Sequence, residues 1–143
     1  MNNKLTAPSF QQLHSQIIDD GPHDVSVVVG RLFMILCFKN KLVGTNYLKE
    51  AVLHRYAKSE RTKVSLTKEI YPAIAEKFST TVDRVERAIR NSIKDCHDHG
   101  NLYAFNTLTR SEVIKTEYPP TNGELISNIA NWLLLEHQQN NIK

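Results

Sequence analysis

Cysteine is scarce in this chain: there are two, Cys37 and Cys96, and no CxxC pair. That scarcity excludes a disulfide scaffold and the usual structural zinc motifs. Both fall on the apolar faces of predicted helices and read as buried free thiols. Glycine is sparse too, and no glycine-rich loop is present to cradle a phosphate. Paired-carboxylate and nucleophile motifs are absent, so no catalytic residue and no cofactor are expected. Apolar runs are short. The longest, Leu32 to Phe38, has seven residues, which suits a buried helix and not a bilayer span. The first residues lack the basic, apolar, small-residue order of a signal peptide, so a cytoplasmic protein with no membrane partner is expected.

Positive charge is present, but unevenly. Residues 1–24 hold one Lys and three Asp, and residues 116–143 hold one Lys and three Glu. Between them, residues 25–115 hold sixteen Lys or Arg against nine Asp or Glu, a net of +7. A basic stretch of this kind attracts phosphates and supplies non-specific affinity for nucleic acid.

Within it lies LTKEIYPAIAEKFSTTVDRVERAIRNSIKDCHDHG, residues 66–100. Val82, Val85, Ala88, Ile89, Ile93 and Cys96 follow helical spacing and share one face. Arg84, Arg87, Asn91 and Lys94 fall mainly on the other, with Arg90 beside them. Thr80 or Thr81 is predicted to cap this helix, and Gly100 to end it in a left-handed conformation. Before it, Leu66, Ile70, Ile74 and Phe78 form a narrow apolar seam. Pro72 demands either a helix start near Tyr71 or a bend there. Two helices joined by a tight polar turn make a helix-turn-helix, whose second helix can enter the DNA major groove.

The remaining chain reads as further helices. Residues 1–8 are expected to be disordered. Phe10 to Asp20 is a predicted helix capped by Ser9, with Leu13, Ile17 and Ile18 inward. Another runs from about Ser26 to Phe38. A third, about Asn46 to Tyr56, starts at Thr45 or Asn46. Ala57 to Ser65 is a polar, basic loop. Asn101 to Tyr118 suits a strand or a short helix near Phe105 to Leu108. Thr121 and Glu124 make a capping box for a last helix reaching about Gln138. It buries Leu125, Ile126, Ile129, Ala130, Leu133 and Leu134, with Trp132 near the edge of the stripe. The expected architecture is all-α: five to six helices around a helix-turn-helix, of winged-helix-like or response-regulator effector type. The expected organisation is a tail with a possible short helix over 1–24, then a DNA-binding effector domain over 25–143.

These residues also carry a resemblance. YLKEAV (47–52), LTKEIYPAIAEKFSTTVDRVERAIRNSI (66–93), HGNL (99–102), PTN (120–122) and LLLEH (133–137) together resemble the effector domain of the stage-zero sporulation protein A family. The similarity spans about Gly44 to His137, with a small length change between Ala57 and Lys63. It implies an all-α domain that binds short tandem DNA boxes with a core near TGTCGAA. It also implies contact with an RNA polymerase sigma factor and self-association on DNA. By this resemblance Arg84, Glu86 and Arg87 read bases. Arginine can grip guanine O6 and N7 with two donors, and glutamate can accept from cytosine N4. Lys68, Thr80, Thr81, Arg90, Asn91 and Lys94 are then phosphate contacts, which hold register.

The sequence departs from the family at several points. About forty residues precede the matching region, too few for a receiver domain, so Asp19, Asp20 and Asp24 are not expected to form a phosphoacceptor pocket. Binding is then constitutive or controlled by abundance. Asn91 stands where members usually carry histidine. Thr109-Arg110 replaces an apolar-glycine pair in the region associated with polymerase. Two other readings compete with a DNA-binding regulator. One is a protein-interaction modulator or decoy of a full-length regulator or polymerase. The other is an enzyme or metal site built on Cys96-His97-Asp98-His99. Consecutive helical residues point in different directions, so these four are expected to hold no metal.

Overall fold

The computed structural model describes residues 8–143, so the expected disorder of residues 1–7 lies outside the described residues. Seven α-helices follow one another: α1 (Phe10–Ile17), α2 (Val25–Ile35), α3 (Val43–Ala57), α4 (Tyr71–Lys77), α5 (Val82–His99), α6 (Ala104–Thr109) and α7 (Asn122–Gln138). A π-helical turn, Leu66–Ile70, leads into α4. The all-α expectation holds, but the count of five to six helices is too low. The described residues contain no named strand, so the β-hairpin wing implied by a winged-helix-like fold is not there.

Local chemistry accounts for most boundaries. Ser9 and Gln12 form a reciprocal capping box on α1, and Thr121 and Glu124 form another on α7. The π-helical turn reflects Pro72, which has no N–H for the carbonyl four residues back. The chain widens instead: the amides of Ile70 and Tyr71 reach the carbonyls of Ser65 and Leu66, five residues back. A regular α-helix then starts at Tyr71, one of the two outcomes expected from Pro72. The preceding loop is held by Arg55, whose guanidinium donates to the carbonyls of Lys58 and Arg61 at 2.9 Å each. Arg61 in turn grips Glu69 with two bonds, 2.7 and 3.1 Å. That contact holds the Glu69 carboxyl below the usual carboxylate range.

Four expectations need correction, each for a tertiary reason. The first concerns α2, which ends before Phe38. Cys37 takes a left-handed φ of 62°, and Phe38 folds back to stack on Phe33 with ring centroids 4.6 Å apart. Cys37 is therefore exposed, not a buried thiol. Next, α3 begins at Val43, before Thr45 and Asn46. Thr45 is buried rather than capping: it donates to the Lys39 carbonyl and pairs with Ser92 Oγ, both at 2.8 Å. Gly100 is not left-handed either; its φ is −101°. Glycine is needed there for closeness, since a Cβ would lie 2.9 Å from Cys96 O and 3.0 Å from Cys37 O. Lastly, Trp132 is buried and Leu134 only half-buried, the reverse of their predicted places on the stripe of α7.

One core joins all seven helices. Leu32, Leu48, Ile74, Ile89, Phe105, Leu125 and Ile129 are among its fully enclosed side chains. Leu13, Ile17 and Ile18 belong to the same core, so α1 packs onto α2 and α6. The C-terminal residues close the same end. Ile142 is buried, and Lys143 N–H donates to His23 O at 2.9 Å.

Candidate nucleic-acid interface

α4, the turn and α5 supply the helix-turn-helix. The turn is tight because Ser79 takes φ 55°, which lets Thr80 N–H reach back to Ala75 O at 2.9 Å. Thr81, not Thr80, is the cap: its hydroxyl accepts from Arg84 N–H at 3.2 Å. Thr80 is thereby left to the surface beside α5. Asp83 stays in the first turn, where the positive helix end favours it.

The two faces of α5 separate as the spacing predicts. Val85, Ile89, Ser92, Ile93 and Cys96 are buried, whereas Arg84, Arg87, Arg90, Asn91 and Lys94 are exposed. Burial of the aliphatic face drives the docking, at ~25 cal/mol per Å² of apolar area removed from water. The register of α5 is set by α3. Gly44 lies so close to Ala88 that any Cβ would overlap the Ala88 carbonyl. The buried Thr45–Ser92 hydroxyl pair adds direction to that contact. Thr45 spends its only proton on the Lys39 carbonyl, so Ser92 is the donor of the pair. At the other flank, Asn122 at the start of α7 donates to the Glu86 carbonyl at 3.1 Å and to Tyr71 Oη at 3.0 Å. Burial pushes the Tyr71 hydroxyl pKa up, and the Asn122 bond opposes that shift.

The cations of this surface differ in what they already hold. Arg90 pairs with Glu86 at 2.7 Å, Lys94 with Asp98 at 2.9 Å, Lys77 with Glu50 at 2.8 Å and Lys39 with Asp95 at 3.2 Å. The Lys94 contact holds the Asp98 carboxyl below the usual range. Arg84 and Arg87 are different: among the described residues neither has a carboxylate within salt-bridge reach. With Thr80, Ala88 and Asn91 they line a shallow hollow floored by Val43 and Tyr47.

The structure thus brings together Arg84, Arg87, Thr80 and Asn91. Glu86 and Arg90 sit as a bonded pair on the adjoining flank, and Thr81 lies at the cap. Lys94 lies further along α5, past Asn91. Lys68 is on the π-helical turn, exposed, and does not line the hollow. Val43, Tyr47 and Asn122 were not anticipated at this surface. Gly44 lies inside α3, but the sequence pattern predicts a helix that starts after it, so it gave no signal of the close approach.

The Cys96-His97-Asp98-His99 run does not converge. Cys96 donates to Leu36 O, His97 contacts Lys115 O, Asp98 accepts from Lys94, and His99 faces solvent. Burial pushes the Cys96 thiol up to about 12, the opposite of an activated nucleophile. No group of three or more His, Cys, Asp or Glu is placed to hold a metal among the described residues, and none of their helices is long and apolar enough to cross a membrane.

The comparison with known families agrees with this geometry. The family model described as "Sporulation initiation factor Spo0A C terminal" matches residues 29–133, which include the whole helix-turn-helix, α3, and most of α2 and α7. The chain therefore belongs to the family of Spo0A C-terminal domains, the all-helical DNA-binding domains of sporulation regulation.

Proposed function

We propose that this domain reads specific DNA sequence by laying the N-terminal half of α5 in the major groove. The supporting observation is the Arg84–Arg87 pair: two exposed guanidiniums on one face, with no carboxylate within salt-bridge reach among the described residues. Guanidinium forks match the guanine edge. Glu86 joins them as the third base reader, accepting from cytosine N4. Arg90 holds one of its oxygens and leaves the other open, so the pair arrives pre-oriented. Thr80, Thr81, Arg90, Asn91, Lys94 and Lys68 contact phosphates. Residues 25–143 make up the effector domain, which acts in the cytoplasm on double-stranded tandem boxes. Neighbouring copies touch on the DNA, and a polymerase sigma factor is a further partner by family resemblance, although Thr109-Arg110 departs from the family in the region associated with that contact.

Fluorescence anisotropy tests this directly. A duplex with two tandem TGTCGAA-type boxes and a scrambled duplex are titrated across a salt series. Preference for the boxes that persists near physiological salt is expected. Equal, steeply salt-dependent affinity for both duplexes would refute base reading by α5. It would instead favour a domain acting through protein partners.

A further inference from the structure

Away from the helix-turn-helix, α1, α6 and α7 enclose a cleft of about 490 Å³. That volume falls within the ~300–1,000 Å³ range of small-molecule sites, too large for an ion alone. Its walls are mixed: Phe10 from α1, Leu108 from α6, Val113 beyond it, and Trp132 and Leu135 from α7 form an apolar part, and Asn128, Asn131 and Gln139 of α7 and its end form a polar one. Leu135 is 55% exposed at the rim, so apolar surface remains uncovered there.

Three groups bear on the charge and hydrogen bonding of the cleft: Arg110, the Trp132 indole and Glu136. Arg110 leaves the end of α6 in a left-handed conformation, φ 56°, and its guanidinium rests 4.0 Å from the Phe10 ring centroid. Arg110 is exposed, and this stacking favours a position of its fork at the cleft wall; no carboxylate among the described residues lies within salt-bridge reach of it. Trp132 is 4% exposed, and its indole N–H is buried without an acceptor among the described residues. Glu136 is the one carboxylate in the lining. It is already engaged by His14 Nε2 and Asn141 Nδ2, both at 2.8 Å.

We propose that this cleft binds a small monocarboxylate with an apolar body, its carboxylate on Arg110 and its body against Leu108, Val113 and Trp132. A guanidinium fork suits a carboxylate, and the nearby Glu136 disfavours a ligand of higher negative charge. Phe10 lies outside the matched span 29–133, so the site is completed by a segment that the family model does not cover. The inference is independent of which bases α5 reads.

Trp132 is the only tryptophan in the chain and reports on its own site. Its fluorescence is followed while octanoate, 1-octanol or octylammonium is added to the full chain. A saturable response to octanoate is expected, at concentrations about ten-fold below any response to the other two. Arg110→Gln should weaken octanoate about ten-fold with the melting temperature unchanged, and Arg110→Lys should fall between. If Arg110→Gln lowers the melting temperature, Arg110→Lys alone decides. Equal responses to octanoate and 1-octanol, no saturation by octanoate, or an octanoate affinity indifferent to Arg110 would overturn the proposal.

Discussion

The two halves of α5 share one helix, yet the first holds Arg84, Arg87 and Arg90 where the second holds Lys94 as its one Lys or Arg, and they use that charge differently. Toward the C-terminus, charge is consumed internally: Lys94 by Asp98, and Asp95 by Lys39 of the loop before α3. Toward the N-terminus, Arg90 is paired with Glu86, but Arg84 and Arg87 have no carboxylate within salt-bridge reach among the described residues. The same contrast appears in packing. Gly44 closes α3 onto the first half at Ala88, and Gly100 closes the chain behind the second half onto Cys37 and Cys96. Net charge therefore does not locate a nucleic-acid surface; the distribution of internal partners does.

The largest expected effect breaks the packing side of this comparison. Gly44→Ala must push α3 off Ala88, against backbone rather than a yielding side chain. A loss of about 3 kcal/mol is expected, measured by urea unfolding. A loss below that of Gly100→Ala would show that the α3–α5 approach is not the tighter of the two. Arg87→Ala addresses the charge side. It should cost about 1–3 kcal/mol of specific binding with the melting temperature unchanged. The companion change, Lys94→Ala, should leave box preference intact and lower the slope of log affinity against log salt by about one at most. Equal losses of box preference for the two variants would erase the distinction between the halves. Gly100→Ala comes next, at about 1–2 kcal/mol, because the contacts of its added Cβ lie near 3.0 Å and part of the strain can relax.

The smallest effect at neutral pH concerns Cys96. Its thiol pKa rises from 9.0 to about 12 on burial. A raised pKa means the folded state favours the protonated form. The stabilisation is fully present below pH 9 and is lost as pH climbs toward about 12. Cys96→Ser keeps a donor for Leu36 O without a titrating thiol. It should flatten the alkaline limb of a stability-against-pH curve, and an unchanged limb would assign that limb to other groups, such as Tyr71.

Much of the site was legible in the chain. The alternation of Val85, Ile89 and Ile93 with Arg84, Arg87 and Asn91 is a helical period, and a period survives any tertiary arrangement that buries one face. Thr121 with Glu124, and Ser9 with Gln12, are short-range hydrogen-bond patterns, so at least the first could be read directly. The choice between Thr80 and Thr81 could not, because both can cap and the turn geometry at Ser79 decides. Cys37 was misplaced because its exposure follows from Phe38 turning back onto Phe33, a contact that leaves no trace in helical spacing. Gly100 was given the right effect for the wrong reason. Helix ends favour glycine for handedness, but here the demand comes from closeness to Cys96 at the end of the same helix and to Cys37, more than sixty residues earlier.

The sequence by itself determined the helical elements, the apolar face of α5, the exposed cations opposite it and the family to which the domain belongs. These depend on interactions within a few residues or on a period along one helix. Tertiary structure alone decided which cations stay unneutralised, how closely α3 approaches α5, and that α1, α6 and α7 leave a cleft beside Arg110 and Trp132. Those features join residues distant in the chain, and their energies come from contacts and enclosed volumes that exist only once the helices have packed.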